Sequence, residues 1–452
     1  MTTQGESNRR EFKYWVFPAY VRAFRPRRKP RRRRPTERGQ LVLTGAVLTA
    51  ALGLNTESSY VYQLFALLLC TSIAARVSLG FARPEVRVKR LLPRYATAGE
   101  AFSYRIKIEN LGREAELDLT VTDFPQTRLP SLSEYRRERE PFENSRNAYD
   151  RFIGFHRFIY LQKQLTGITT TPARVEEVPV KGASDAQISA TPLRRGKVNF
   201  SHTVVLHQDP LGLNYGFNHF SNSESLLVLP MRYRLNPNWQ IASGRNFQPG
   251  GVSSAWSVGE SDEFVSLRDY REGDSMRKIH WASSAKQTAR KQGLIVKEYQ
   301  DEFFARNALI IDINHANSDH VEKTISIAAS FAMDLQQTDA MLDLIYATAS
   351  GTKMITAGRG TSAVNEQLEA LATMQPGDHD FDSLAERALL HARVVTGCIC
   401  VFASWQPHHN EFVKKLHAQG TELRCLALTD APSEGLFTAI RPEYVQEDLL
   451  AS

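Results

Sequence analysis

Hydrophobic and polar positions follow three successive rules along this chain. Between Gly39 and Thr56, and again between Ser58 and Ala75, there are eighteen residues without a charge, divided by Glu57. As a helix each run reaches about 27 Å, slightly short of a ~30 Å hydrocarbon core, with Arg38 and Arg76 able to snorkel at the ends. The pattern predicts a transmembrane helical hairpin over residues 39–80, turned by NTESSY. The competing reading, two buried helices of a soluble protein, draws on the Thr, Ser and Gln content of the runs.

Beyond Arg83 the period changes to two. VRVKRLL, FSYRIKIEN, LGREAELDLTVTDF and KVNFSHTVVLHQD alternate apolar and polar residues, with Gly, Pro, Asn and Asp at the breaks. Such alternation predicts half-buried antiparallel strands, here a β-sandwich over residues 83–230. Between Pro130 and Gln164 it is interrupted by SLSEYRREREPFENSRNAYDRF, which reads as a solvated loop, with a partner-docking arm as the alternative.

From residue 303 to 452 strand-like runs (NALIIDI, MLDLIYATA, KMITAG, VVTGCICVFA, LRCLALT) alternate with helical ones such as HVEKTISIAASFAMDLQQ and NEFVKKLHAQG. That order predicts βαβ crossovers and a parallel sheet clothed by helices. Ligands on such sheets sit outside the carboxyl ends of the strands, which singles out Asp312.

Length and charge refine this picture. At 452 residues the chain should hold two or three domains. Its formal net charge is +7, yet Arg22 to Arg38 alone carries ten Lys/Arg against Glu37; removing that +9 from +7 leaves about −2 elsewhere. The basic balance therefore belongs to an arm, residues 1–38. Beside an apolar span the arm reads as an anchor to anionic lipid, and no nucleic acid is expected as partner. Arg76, Arg83, Arg87, Lys89 and Arg90 follow the second run while the intervening turn has no Lys or Arg, so both flanks are placed in the cytoplasm. An apolar run beginning near residue forty and followed by a second fits a cleaved signal peptide worse. Cys70, Cys398, Cys400 and Cys425 form neither a disulfide framework nor a thiol-metal spacing, and read as buried small hydrophobes.

One stretch fits no simple exposed helix or strand. In FVSLRDYREGDSMRKIHW, Phe264 to Trp281, the charged or polar Arg268, Tyr270, Asp274, Arg277, His280 and Trp281, with Gly273, interleave with Phe264, Val265, Leu267, Met276 and Ile279. Glu272 to Ser275 reads as a turn capping a helix that starts near Met276. Arg268, Asp269, Arg271, Asp274 and Arg277 are expected to form a charge network within a linker, residues 231–302, with Tyr270, His280 and Trp281 filling a junction. Domain cementing and partner docking are equally open.

The run LRDYREGDSMRKIHWASSAK resembles the signature of the bacterial family known as domain of unknown function 58 (DUF58), and LRRGKVNFSHTVVLHQDPLGL resembles the approach to it. The resemblance implies a membrane-anchored protein; taken with the flanking charges, the expected place is the bacterial inner membrane, with the soluble domains cytoplasmic. It also implies an Ig-like β-sandwich in the middle and a von Willebrand factor A-like C-terminal α/β domain, working with a MoxR-type AAA+ ATPase. A von Willebrand A domain often binds Mg²⁺ through Asp-x-Ser-x-Ser, since a hard ion takes carboxylate and hydroxyl oxygens. Asp312, Ile313, Asn314, His315 and Ala316 keep only the Asp, and VFASWQ lacks the usual later acid, so the site is degenerate and no metal or cofactor is expected.

His315, Asp319 and His320, and His408 with His409, match no ligand spacing. Asp274, His280 and Ser283 or Ser284 lack a nucleophile elbow, so no catalytic residue is assigned. No Walker A motif, G-x-G-x-x-G or H-E-x-x-H occurs. The leading expectation is a non-enzymatic membrane-anchored adaptor that presents a surface to the ATPase and to client proteins. The alternatives are an enzyme with an unrecognised site and a membrane-tethered nucleic-acid binder.

Overall fold

The computed structural model describes residues 14, 16–24, 33–52, 59–81, 83–141, 143–239, 264–272, 274–288, 293–299, 306–314, 316–337, 341–348, 351–356, 361–376, 380–431 and 435–451. The chain divides into two compact units, Met1–Met231 and Arg232–Ser452, making a multidomain mixed α/β protein.

In the first unit the period of two becomes two sheets. Val86–Leu91, Phe102–Asn110, Ala183–Pro192 and Ile168–Thr170 form a four-stranded antiparallel sheet. The other sheet has seven strands. Its long strand Gly196–Gln208 pairs with Glu116–Pro125, Asn214–Phe220 and Glu224–Leu229. Ile106 and Ile188 from one sheet and Val121, Phe200 and Val205 from the other share one core, each burying the side its alternation marks as apolar. Arg90 also points inward, and the facing sheet supplies its partner: Nε and Nη2 donate to the Asp123 carboxylate at 2.8 and 2.6 Å, with both side chains fully buried. Tyr104 Oη and Thr203 Oγ1 donate to the same carboxylate at 2.6 and 2.9 Å. A buried charge with every partner in place is the form an interior tolerates.

The charged excursion is not a loop. Leu132–Arg137, Ala148–Ile153 and Phe155–Thr166 are helices, the first opened by a capping box between Ser131 and Glu134. Nor is all of the basic arm a free tail. Residues 16–24 are helical and dock on those helices through an aromatic cluster. Phe17 lies 5.0 Å from Tyr135 and Phe24 5.5 Å from Phe158, centroid to centroid. Arg157, buried beneath, is paired with Glu143 at 2.5 Å. Further on, Arg33–Pro35 adds a strand to the seven-stranded sheet against Asn214–Phe220.

Thr36 then caps a helix, Glu37–Leu52, through its Oγ1 to the Gly39 N–H. Gly39 is required there, since a Cβ would sit 2.0 Å from the Leu213 carbonyl oxygen. A second helix, Ser59–Phe81, lies against the first and runs six residues past Ala75. Among the described residues, Tyr60–Phe81 is the stretch long and apolar enough to cross a membrane; Glu37–Leu52 has sixteen residues. Much of the turn NTESSY lies outside the described residues.

In the second unit the sheet order is Gly351–Ile355, Met341–Thr348, Arg306–Asp312, Gly397–Phe402, Glu422–Leu428, Thr438–Ile440. All neighbours are parallel except Gly351–Ile355, an antiparallel edge strand that the expectation of an all-parallel sheet missed. The strands Arg306–Asp312 and Gly397–Phe402 are buried along nearly their whole length, the signature of a sheet covered on both faces. The start of the expected linker is part of this unit: the Tyr233 N–H donates to Ser330 Oγ, and Trp239 Nε1 donates to the Leu449 carbonyl. Residues 240–263 of that linker lie outside the described residues.

Candidate functional site: the signature element and the Asp312 strand end

The strand Phe264–Asp269 pairs antiparallel with Ile295–Tyr299, with a bulge between Phe264 and Ser266. Between them the chain makes a 3₁₀ turn, Met276–Lys278, and then the helix Trp281–Thr288. The helix therefore starts at Trp281 and not near Met276. Ile279 bridges to Val296 in extended form and both are buried, so the apolar demand of Ile279 ends the 3₁₀ turn before an α-helix can start.

Asp274 does not cap that helix. Both its oxygens accept from Arg268, Nη1 and Nη2 at 2.8 Å, and Oδ2 also accepts the Arg271 N–H at 2.9 Å. The Arg268 guanidinium, and after it the Arg271 N–H, hold the Asp274 carboxyl down at about 2. His280 takes the capping place, Nδ1 accepting the Ser283 N–H at 3.2 Å with Ser283 Oγ at 2.7 Å. Ser284 is buried and binds Ile295 twice, accepting its N–H at 2.9 Å and donating to its carbonyl. His280 and Ser283 thus come together as a helix cap, and Asp274 is committed elsewhere, so no Ser–His–Asp constellation forms from these residues.

Tyr270 is half-buried and its N–H donates to the Leu294 carbonyl. Asp269, Arg271 and Arg277 are exposed; of the five expected charges the Arg268 and Asp274 side chains pair, and Arg271 adds its backbone N–H to Asp274. Trp281 is 64 % and Met276 74 % exposed. Gly273 lies outside the described residues.

Asp312 ends its strand, buried, beside Phe402 of the next parallel strand. Its Oδ1 accepts the Asn314 N–H at 2.9 Å, and its Oδ2 is 3.0 Å from His409 Nε2. His409, also buried, is the third residue of the helix Pro407–Ala418, and its Nδ1 accepts the Gln406 N–H at 3.0 Å. A backbone N–H can only donate, so neutral His409 carries its proton on Nε2 and gives it to Asp312. Phe402 stacks on the ring at 4.3 Å.

His408 joins them: one ligand atom from each of Asp312, His408 and His409 lies within 4.8 Å of the others. Asp and two His are a fitting set for a borderline ion such as Zn²⁺. The Gln406 N–H, however, holds the lone pair of His409 at Nδ1 and leaves Nε2 a donor, which argues against ligation there. Asn314 contributes its backbone N–H, and His315 lies outside the described residues. His320 stands near, its Nδ1 3.1 Å from the Ala403 carbonyl. By themselves His408 and His409 begin a helix and match no recognised ligand spacing, so the sequence does not tie them to Asp312. The signal was topological: residues just after Phe402 open from the strand beside Arg306–Asp312, where carboxyl-end loops meet.

Residues 266–433 match the family described as "Protein of unknown function DUF58". No curated protein matches the sequence. Among solved structures, the SpRpn10 VWA domain is similar at 9 % identity and TM-score 0.25, covering 33 % of this chain and 95 % of that one. A cohesin module from a Clostridium perfringens ATCC13124 family 33 glycoside hydrolase is similar at 11 % identity and TM-score 0.18, covering 32 % of this chain and 98 % of that one. At such scores neither likeness bears on fold or function.

Proposed function

We propose that this is a non-enzymatic, membrane-anchored adaptor whose signature element docks a MoxR-type AAA+ ATPase that acts on client proteins. One observation carries the docking reading. The signature satisfies its own fold through Arg268–Asp274, Ile279–Val296 and Ser284–Ile295, and leaves Met276, Arg277 and Trp281 in solvent. Large apolar side chains held mostly in solvent are the anchors from which interface hot spots are built.

Anchoring is supported by the apolar surface of the two N-terminal helices, where Leu41, Val47, Leu48, Leu52, Leu67 and Phe81 are each more than half exposed. Such a surface suits lipid and not water. In this reading the helices are a transmembrane hairpin in the bacterial inner membrane, with both soluble units cytoplasmic. The two sheets on one core are an Ig-like sandwich, and the second unit is von Willebrand factor A-like, which its parallel sheet with one antiparallel edge and Asp312 at a strand end both suit. His409 stands where a cation's ligand shell would form.

The test is affinity capture of the ATPase from solubilised membranes by the full chain. Trp281→Ala is expected to reduce capture about thirtyfold or more, the loss of one hot-spot anchor, with insertion and exchange protection of Ile295–Tyr299 unchanged. Capture undiminished by both Trp281→Ala and Arg277→Ala would sink the docking reading.

A further inference from the structure

Where the apolar helix Ser59–Phe81 ends, the first unit carries an open cleft of about 650 Å³. Leu79 and Phe217 give it apolar walls, and Arg33, Arg83, His207 and Glu85 give it charge and polarity, two guanidiniums against one carboxylate.

His207 is the informative residue. It is 6 % exposed, and neither ring nitrogen makes a hydrogen bond within the protein. A buried polar ring without partners is costly, so a position serving packing alone would favour an apolar side chain. Gly216, its cross-strand partner, keeps the ring in place: a Cβ there would come within 2.2 Å of the ring's Cε1. Burial, and then neighbouring Arg83, hold His207 below the usual histidine range.

A second depression, of about 490 Å³, shares Arg33 with the first and is walled by Ile73, Val77 and Phe81. Arg33 is fixed between the two, its Nη1 donating to the Arg76 carbonyl at 3.0 Å. A basic cleft and a largely apolar depression along a helix, meeting at Arg33, match a charged head joined to a hydrocarbon chain.

We infer that this is a site for one anionic phospholipid, its phosphate received by Arg33, Arg83 and His207 and its acyl chain laid along Ile73, Val77 and Phe81. The inference rests on the membrane reading above. Arginine forks and an imidazole N–H donate to phosphate oxygens with charge assistance, and Glu85 at the wall disfavours a more highly charged free anion.

The full chain in neutral detergent would be titrated with dioctanoyl phosphatidylglycerol, dioctanoyl phosphatidylcholine and inorganic phosphate, counting bound molecules by native mass spectrometry. One saturable phosphatidylglycerol is expected, with the other two probes bound at least about tenfold more weakly. Arg83→Gln and His207→Phe should each weaken it about tenfold, the scale of one charge-assisted hydrogen bond. Exchange protection of Gly196–Gln208 reports whether His207→Phe folds, and the exposed Arg83→Gln tests the site regardless.

Equal binding of the two lipids, or wild-type affinity in Arg83→Gln, overturns the inference. Inorganic phosphate bound as tightly as the lipid also overturns it, leaving a free-phosphate site. Sedimentation of the same sample without detergent reads the membrane reading separately: a chain that stays monodisperse sinks that reading, whereas detergent dependence without lipid saturation sinks the site alone.

Discussion

Replacing Arg90 by Met tests whether the first unit's core is built around an ion pair. Arg90 makes two bonds to Asp123, one to the Asn222 carbonyl at 2.7 Å and one to Thr203 Oγ1 at 3.2 Å, and its guanidinium lies 4.8 Å from the Phe200 ring centroid. Met keeps the aliphatic bulk and removes all of these. Asp123 would remain buried, held by Tyr104 and Thr203 alone. Removing one partner of a buried pair costs about 3–5 kcal/mol. Hydrogen exchange resolves it locally, as a fall in protection of Val86–Leu91 and Glu116–Pro125 of roughly two to three and a half decades. Arg105→Met is the internal control, because its 3.4 Å pair with Asp185 is exposed on both sides and should be worth about 0–1 kcal/mol. If Arg90→Met falls in the control's range, the pair is not what joins the sheets.

Three further outcomes follow from the second unit. The Asp274 carboxyl should titrate near 2, not near 3.8, because Arg268 favours its charged form; being depressed, it supports the signature element above 3.8 and loses that support as pH falls through about 2, readable by carbon-detected NMR. Burial pushes the Cys398 thiol up to about 12 and raises Cys400 as well, so alkylation at pH 8 should reach either only after denaturation; labelling of the native unit would contradict the packing. His409→Ala should cost about 1–3 kcal/mol by removing a donor from the buried Asp312 carboxylate and uncapping Pro407–Ala418, while a chelator should leave the wild-type melting midpoint unchanged.

The strands were legible because burial and side-chain alternation share one period: FSYRIKIEN is the strand Phe102–Asn110 residue for residue. The excursion was misread because its charge masked its punctuation. Ser131 and Glu134 spell a capping box, and Tyr14, Phe17, Val21 and Phe24 recur at helical spacing, but the surface these aromatics bury lies on helices more than a hundred residues away. A local window sees a basic arm and an acidic-basic run, each too polar to pack. The two together make a core. The inward Arg90 had the same character, polar at a position the pattern marks as apolar, explicable only once Asp123 is opposite.

The Asp312 end shows the same dependence on distant residues. A carboxylate at the carboxyl end of a buried strand must be met by donors or by a cation. Here the Asn314 N–H and His409 Nε2 meet it, and the proton on Nε2 is fixed in turn by the Gln406 N–H at Nδ1. A cation arriving at Oδ2 would have to displace that proton and break the helix cap at the same time. The strand end is therefore closed by its own donors, and the proton on Nε2 and the start of Pro407–Ala418 stand or fall together.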